Sequence, residues 1–63
     1  MTVADFIGSL KTKNVLVTIQ DTGENDICKI YAEGVDALDD NLEAREVSRW
    51  NITSVTGITV IVQ

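Results

Sequence analysis

Two pairs of short segments with alternating apolar and polar residues constrain the fold of this chain more than any other feature. The first pair is NVLVTIQD and DICKIYAE, separated by turn residues around Gly23, and the second is EVSRWNIT and ITVIVQ, separated by SVTG. Alternation of this kind, with many β-branched residues, is typical of strands that bury one face, and short loops join antiparallel neighbours. The sequence therefore predicts two β-hairpins.

A helix is predicted ahead of the first hairpin. Thr2 followed three residues later by Asp5 is the pattern of a capping box at a helix start. The apolar residues that follow recur at the spacing of one helical stripe: Val3, Phe6, Ile7 and Leu10. The pattern predicts a helix over residues 3–12.

The order of elements predicts an α+β domain that spans residues 1–63. A narrow stripe of Val35, Leu38 and Leu42 predicts a short acidic helix between the hairpins, which gives the order α-β-β-α-β-β. We expect the hairpins to join into one four-stranded antiparallel sheet, with the N-terminal helix packed on one face. That face is predicted to contain these strand residues: Val15, Val17, Ile19, Cys28, Ile30, Val60 and Val62.

The second face of the predicted sheet also carries apolar residues, namely Leu16, Ile27, Tyr31 and Ile61. One short helix cannot cover both faces, and a contiguous apolar patch usually marks an association surface. Two interpretations remain open. Either this face associates with a second copy or another protein, or the segment 35–47 folds across it. The side to which Trp50 points is also open, because a shift of strand three by one residue reverses it.

The composition argues against several classes of function. The chain has no His and one Cys, so a Cys/His zinc site is excluded and Cys28 lacks a histidine base. Its acidic segments lack the residue order of a calcium-binding EF-hand loop. We therefore expect no catalytic residues, no metal and no cofactor. The net charge of −5 argues against direct binding to nucleic acid or to anionic membranes.

One acidic segment is the candidate partner-binding surface. Residues 33–46 hold six of the ten acidic residues: Glu33, Asp36, Asp39, Asp40, Glu43 and Glu46. Such a row of carboxylates could imitate nucleic-acid phosphates and occupy the basic groove of a nucleic-acid-binding protein. The simpler interpretation is that these acids form the solvated side of a short helix.

Several stretches resemble small, uncharacterised proteins of bacterial phages and integrated mobile elements. They are MTVADFIGSLK at the start, and LDDNLEAREVSRWNI and ITVIV near the end. The shared motif REV-x-x-W-x-I corresponds here to Arg45, Glu46, Val47, Trp50 and Ile52. The resemblance implies an accessory role in a bacterial cell, for which inhibition of host defence is one candidate activity.

These observations together predict a non-enzymatic, protein-binding accessory module. No export signal and no membrane-length apolar run are found, and the single free Cys fits a reducing compartment, so we expect a cytoplasmic location. The alternative is a self-associating structural module that forms a homodimer through the second sheet face.

Overall fold

The structure is a computed structural model that describes the backbone of residues 1–63 and all side chains except those of Val35 and Asp36. The α+β class expected from the sequence is confirmed. The connection between the hairpins contains a 3₁₀ helix and a one-turn α-helix instead of one short helix. In chain order the elements are α1 (Val3–Gly8), β1 (Leu16–Gln20), β2 (Asp26–Tyr31), the 3₁₀ helix (Ala32–Ala37), α2 (Asp40–Glu43), β3 (Val47–Ser54) and β4 (Gly57–Val62).

Helix α1 begins at the predicted capping box but ends early. The Thr2 hydroxyl accepts a hydrogen bond from the Asp5 backbone N–H at 3.1 Å, and the Asp5 carboxylate accepts one from the Thr2 N–H at 3.4 Å. The predicted end at residue 12 is wrong, because the helix stops at Gly8. Gly8 has low helix propensity, and the Ser9 hydroxyl donates to the Phe6 carbonyl at 2.7 Å, which favours the end of a helix.

The sheet contains both predicted hairpins but joins them in an unexpected direction. Its strand order is β2-β1-β4-β3, and the β1–β2 and β3–β4 pairs are antiparallel. The central pair, β1 and β4, is parallel, with Val17 opposite Ile58 and Ile19 opposite Val60. The prediction of a purely antiparallel sheet is therefore wrong, and the sheet is mixed.

The length of the connection between the hairpins explains the parallel pair. Strand β2 ends with Tyr31 opposite Leu16, whereas β3 begins with Val47 opposite Val62, at the other end of the sheet. Residues 32–46, called the acidic connection below, must therefore run the length of the sheet. A crossover to a parallel position needs about a dozen residues or more, and this segment is long enough.

The acidic connection packs on the same sheet face as α1. Leu38 is buried in the cluster that contains Phe6 and Ile7, and Leu42 packs against it while half-buried. The interpretation that this segment covers the second face is therefore wrong. The side chain of Val35, the third member of the predicted stripe, lies outside the described residues. The core cluster consists of Val3, Phe6, Ile7, Val15, Val17, Ile19, Ala32, Leu38, Ile58, Val60 and Val62.

Leu38→Ala tests whether the acidic connection is anchored in this core. We expect a loss of about 2 kcal/mol in the free energy of unfolding, at the low end for buried leucines because Leu38 belongs to a surface connection. The matched control is Leu16→Ala, which removes a half-buried leucine from the other sheet face and should cost clearly less. Urea unfolding measures both values, and equal losses would contradict the placement of the connection.

Candidate functional site

The net charge of the protein is concentrated in the acidic connection. Six of the ten acids and one of the five bases, Arg45, lie in this segment, which gives it a formal charge of −5. The other residues contain four acids and four bases, whose charges cancel. The acidic connection therefore carries a charge equal to the net charge of the whole chain.

The predicted acidic residues differ in the contacts that they make. Asp39 caps α2, since its Oδ1 accepts from the Asn41 N–H at 2.8 Å. Glu46 pairs with the N-terminal ammonium of Met1 at 2.9 Å. Among the described side chains, Glu33, Asp40 and Glu43 form no ion pair. The Asp36 side chain lies outside the described residues.

The single base of the acidic connection forms no ion pair with those acids whose side chains the structure describes. Arg45 donates from Nε to the backbone oxygen of Gln63 at 2.9 Å, and its Nη2 donates to the same oxygen. Arg45 therefore contacts the end of β4 and forms no ion pair with an acid among the described side chains. The carboxylates of Glu33, Asp40 and Glu43 remain accessible, because Glu33 and Asp40 are exposed and Glu43 is half-buried.

The N-terminal residues form backbone hydrogen bonds with the end of the acidic connection and with the start of β3. The Val3 N–H donates to the Arg45 carbonyl at 3.0 Å, and the Val47 N–H donates to the Met1 carbonyl at 2.8 Å. The hydrogen bond to the Glu46 carboxylate and its negative charge raise the pKa of the Met1 ammonium above its ordinary value of 8.0. Glu46 therefore has an intramolecular role besides its place in the acidic surface.

The predicted association face is less apolar at its surface than the sequence suggested. Leu16 is half-buried, and Ile61 is buried between its register partners Gln20 and Arg49. The two exposed members lie on edge strand β2, where Tyr31 is 52% exposed and Ile27 is 42% exposed. Ile27 is the residue that the β1–β2 register skips.

A polar groove of about 510 Å³ lies at the β3 side of the sheet, between β3 and the β1–β2 turn. Its lining includes Gln20, Glu24, Arg49, Asn51, Thr59 and Ile61. Arg49 and Glu24 approach to 3.8 Å, and both are largely exposed, so this ion pair contributes little to stability. The groove combines amides, hydroxyls and a weak ion pair, without a pair of groups suited to acid–base or nucleophilic chemistry.

The β1–β2 turn brings Glu24 to this groove. The Asp21 carboxylate accepts from the Asn25 N–H at 3.1 Å and from the Gly23 N–H at 2.9 Å. These hydrogen bonds, led by that of Asn25, lower the pKa of Asp21 below its ordinary value. Glu24 adopts a left-handed backbone with φ of 63° in this tight turn.

Edge strand β3 and its turn also expose large apolar side chains, which were not predicted as a site. Trp50 is 54% exposed, Ile52 is 63% exposed and Val55 is fully exposed. Trp50 and Ile52 pair with Val60 and Ile58, so they lie on the face that α1 covers. The Trp50 ring contacts Phe6, with a centroid separation of 5.5 Å. Because β3 is an edge strand, part of the indole stays in solvent.

The part of the chain that the structure describes shows no group of three or more Cys, Asp or Glu residues arranged to hold a metal. Within that same part, no helix is both long and apolar enough to span a membrane. No protein-family model matches the chain, and no curated protein or solved structure matches it. Function is therefore inferred from the charge and geometry of this chain.

Titration of the N-terminus tests the contact between Met1 and Glu46. A group whose pKa is raised by folding stabilises the fold below its unfolded pKa, and this stabilisation is lost as the pH rises through the folded pKa. Urea unfolding from about pH 7 to about pH 10 should therefore show a larger loss of stability for the wild type than for Glu46→Gln. Glu43→Gln removes a carboxylate that has no ion pair, so this control should follow the wild type. Parallel pH profiles for all three proteins would contradict the contact.

Proposed function

We propose that this protein is a non-enzymatic binding module that uses the acidic connection to bind a basic protein. The observation that carries this proposal is the distribution of charge. One segment holds a charge equal to the whole net charge, and its single base, Arg45, is bonded to the backbone of Gln63. A strong field of one sign, concentrated on one layer of a small molecule, steers a partner of opposite charge and orients it on contact.

The chemistry of the partner is inferred from the number of acids in one short segment. Six carboxylates in a short segment resemble the closely spaced phosphates of a nucleic acid, so the basic groove of a nucleic-acid-binding protein is the best-suited partner surface. Among the described side chains, Glu33, Asp40 and Glu43 have no ion pair that would be lost when they bind such a groove. Direct binding to nucleic acid is disfavoured, because the same carboxylates repel phosphates.

The cellular role that we propose rests on the resemblance of the sequence. Because the chain resembles small proteins of phages and mobile elements, we propose a role as an accessory protein of this kind. Its proposed activity is the inhibition of host defence through the acidic surface. A non-enzymatic role is supported by the absence of His from the chain and by the single Cys, which packs against the core. Self-association through the second sheet face has less support, because Leu16 and Ile61 expose little surface.

Neutralisation of the accessible carboxylates tests the proposed contact. The variant Glu33→Gln/Asp40→Asn/Glu43→Gln changes the net charge from −5 to about −2 and leaves the Asp39 and Glu46 contacts in place. In affinity capture from a bacterial lysate at low salt, we expect the wild type to retain a basic protein that duplex DNA displaces. The neutralised variant should retain at least about tenfold less of it, because several charge contacts are lost.

The matched control reaches the same net charge without a change in the acidic connection. Thr12→Lys/Asn14→Lys/Thr22→Lys alters three exposed residues whose side chains make no hydrogen bond among those described, and it also gives about −2. We expect this control to bind nearly as well as the wild type. Equal loss in both variants would mean that total charge alone governs capture. Unchanged capture by the neutralised variant would rule out the acidic connection as the contact.

A further inference from the structure

Strand β3 is a sheet edge with few of the features that usually prevent association, and of its residues only the first, Val47, bonds the N-terminal segment, through its N–H to the Met1 carbonyl. A sheet edge presents unpaired backbone N–H and C=O groups, and proteins commonly protect it with charges, proline or bulges. Strand β3 has no proline and a single charged residue, Arg49, whereas the opposite edge strand β2 carries Asp26 and Lys29. Bulges occur towards both ends of β3, and the stretch Arg49–Ile52 between them pairs regularly with β4.

We propose that β3 is the interface between two copies of this chain, which pair antiparallel about a two-fold axis at Asn51. The two four-stranded sheets then form one continuous eight-stranded sheet. This inference is independent of the proposed function, because it uses a different surface and rests on backbone pairing and apolar contacts. The acidic connection takes no part in it.

The position of the axis follows from the faces of the sheet. Directly opposed residues of antiparallel strands point to the same side. Trp50 and Ile52 share the α1 side, so an axis at Asn51 places Trp50 of each copy opposite Ile52 of the other. An axis at Trp50 would leave Ile52 opposite Ser48, and an axis at Ile52 would leave Trp50 opposite Ser54. Only the axis at Asn51 therefore pairs both exposed apolar residues with apolar partners.

Charge is compatible with the axis at Asn51. It places Arg49 opposite Thr53, so the two arginines do not face each other, and the pairs nearest the axis lie within the regular part of β3. Aromatic and β-branched residues that face each other across strands stabilise a sheet. Two Trp50–Ile52 pairs form in the dimer. The edge is thus complementary to itself, and a second copy supplies a matching strand.

The size and charge of the interface determine its expected strength. One strand pair with two apolar contacts lies at the small end of protein interfaces, so we expect a dissociation constant on the order of 10–100 μM. Each copy carries a net charge of −5, and added salt screens this repulsion. Dimerisation should therefore strengthen with salt, whereas binding of a basic partner to the acidic connection should weaken. The failure of one proposal can thus be distinguished from the failure of the other.

Cysteine cross-linking tests the axis directly. In a Cys28→Ser background, Asn51→Cys places two thiols across the axis, where opposed Cβ atoms lie about 4.5–5.5 Å apart. The matched control, Thr53→Cys, places the thiols four residue positions apart, or about 13 Å. Under mild oxidation near the dissociation constant, we expect Asn51→Cys to form a covalent dimer at least about tenfold faster than Thr53→Cys, because only the first pair is within disulfide reach. Equal rates, or no covalent dimer from either, would overturn the register.

Sedimentation equilibrium tests the interface without a new cysteine. We expect the wild type to be a reversible dimer and Trp50→Ser/Ile52→Thr to be monomeric, with circular dichroism used to confirm that the variant is folded. Ile27→Thr/Tyr31→Ser alters the other edge strand and should dimerise like the wild type. A wild type that stays monomeric up to about 1 mM would overturn the proposal. A dimer that survives the β3 substitutions would also overturn it, since the interface would then lie elsewhere.

Discussion

The parallel pairing of β1 with β4 determines where the rest of the chain lies. Because β2 and β3 flank this pair and run in the same direction, the chain must cross the length of the sheet between them. The acidic connection makes this crossover and packs Leu38 into the core beside α1. Helix α1 and the acidic connection therefore both cover the same face of the sheet, and neither covers the opposite face. The location of the net charge and the exposure of β3 both follow from this arrangement.

Local sequence patterns predicted the four strands and most of the buried face of the sheet. Val17, Ile19, Val60 and Val62 are buried as expected, because alternation with period two assigns each residue to a face of the sheet. The same pattern does not encode strand direction. If β4 ran antiparallel to β1, alternation would bury the same residues. The length of the segment between the hairpins was the signal in the sequence that favoured a crossover.

The candidate surfaces could be predicted only in part. The sequence shows where the acids cluster, but the contacts of Glu46 with Met1 and of Arg45 with Gln63 join residues 45 and 18 positions apart. Such contacts arise only when the chain has folded, so no local pattern predicts them. The exposure of Trp50 likewise depends on the place of β3 at the sheet edge, where Phe6 of α1 contacts the indole but leaves Trp50 54% exposed. The functional surfaces therefore depend on topology more than on local propensity.

Proton–proton nuclear Overhauser contacts between β1 and β4 measure the strand direction most directly. We expect amide-to-Hα contacts in a parallel register, with Val17 next to Ile58 and Ile19 next to Val60. Antiparallel strands instead bring opposed Cα atoms to about 4.5 Å in alternate pairs, which produces strong Hα-to-Hα contacts. A series of strong Hα-to-Hα contacts between β1 and β4 would contradict the parallel pair. The crossover of the acidic connection would then no longer be required.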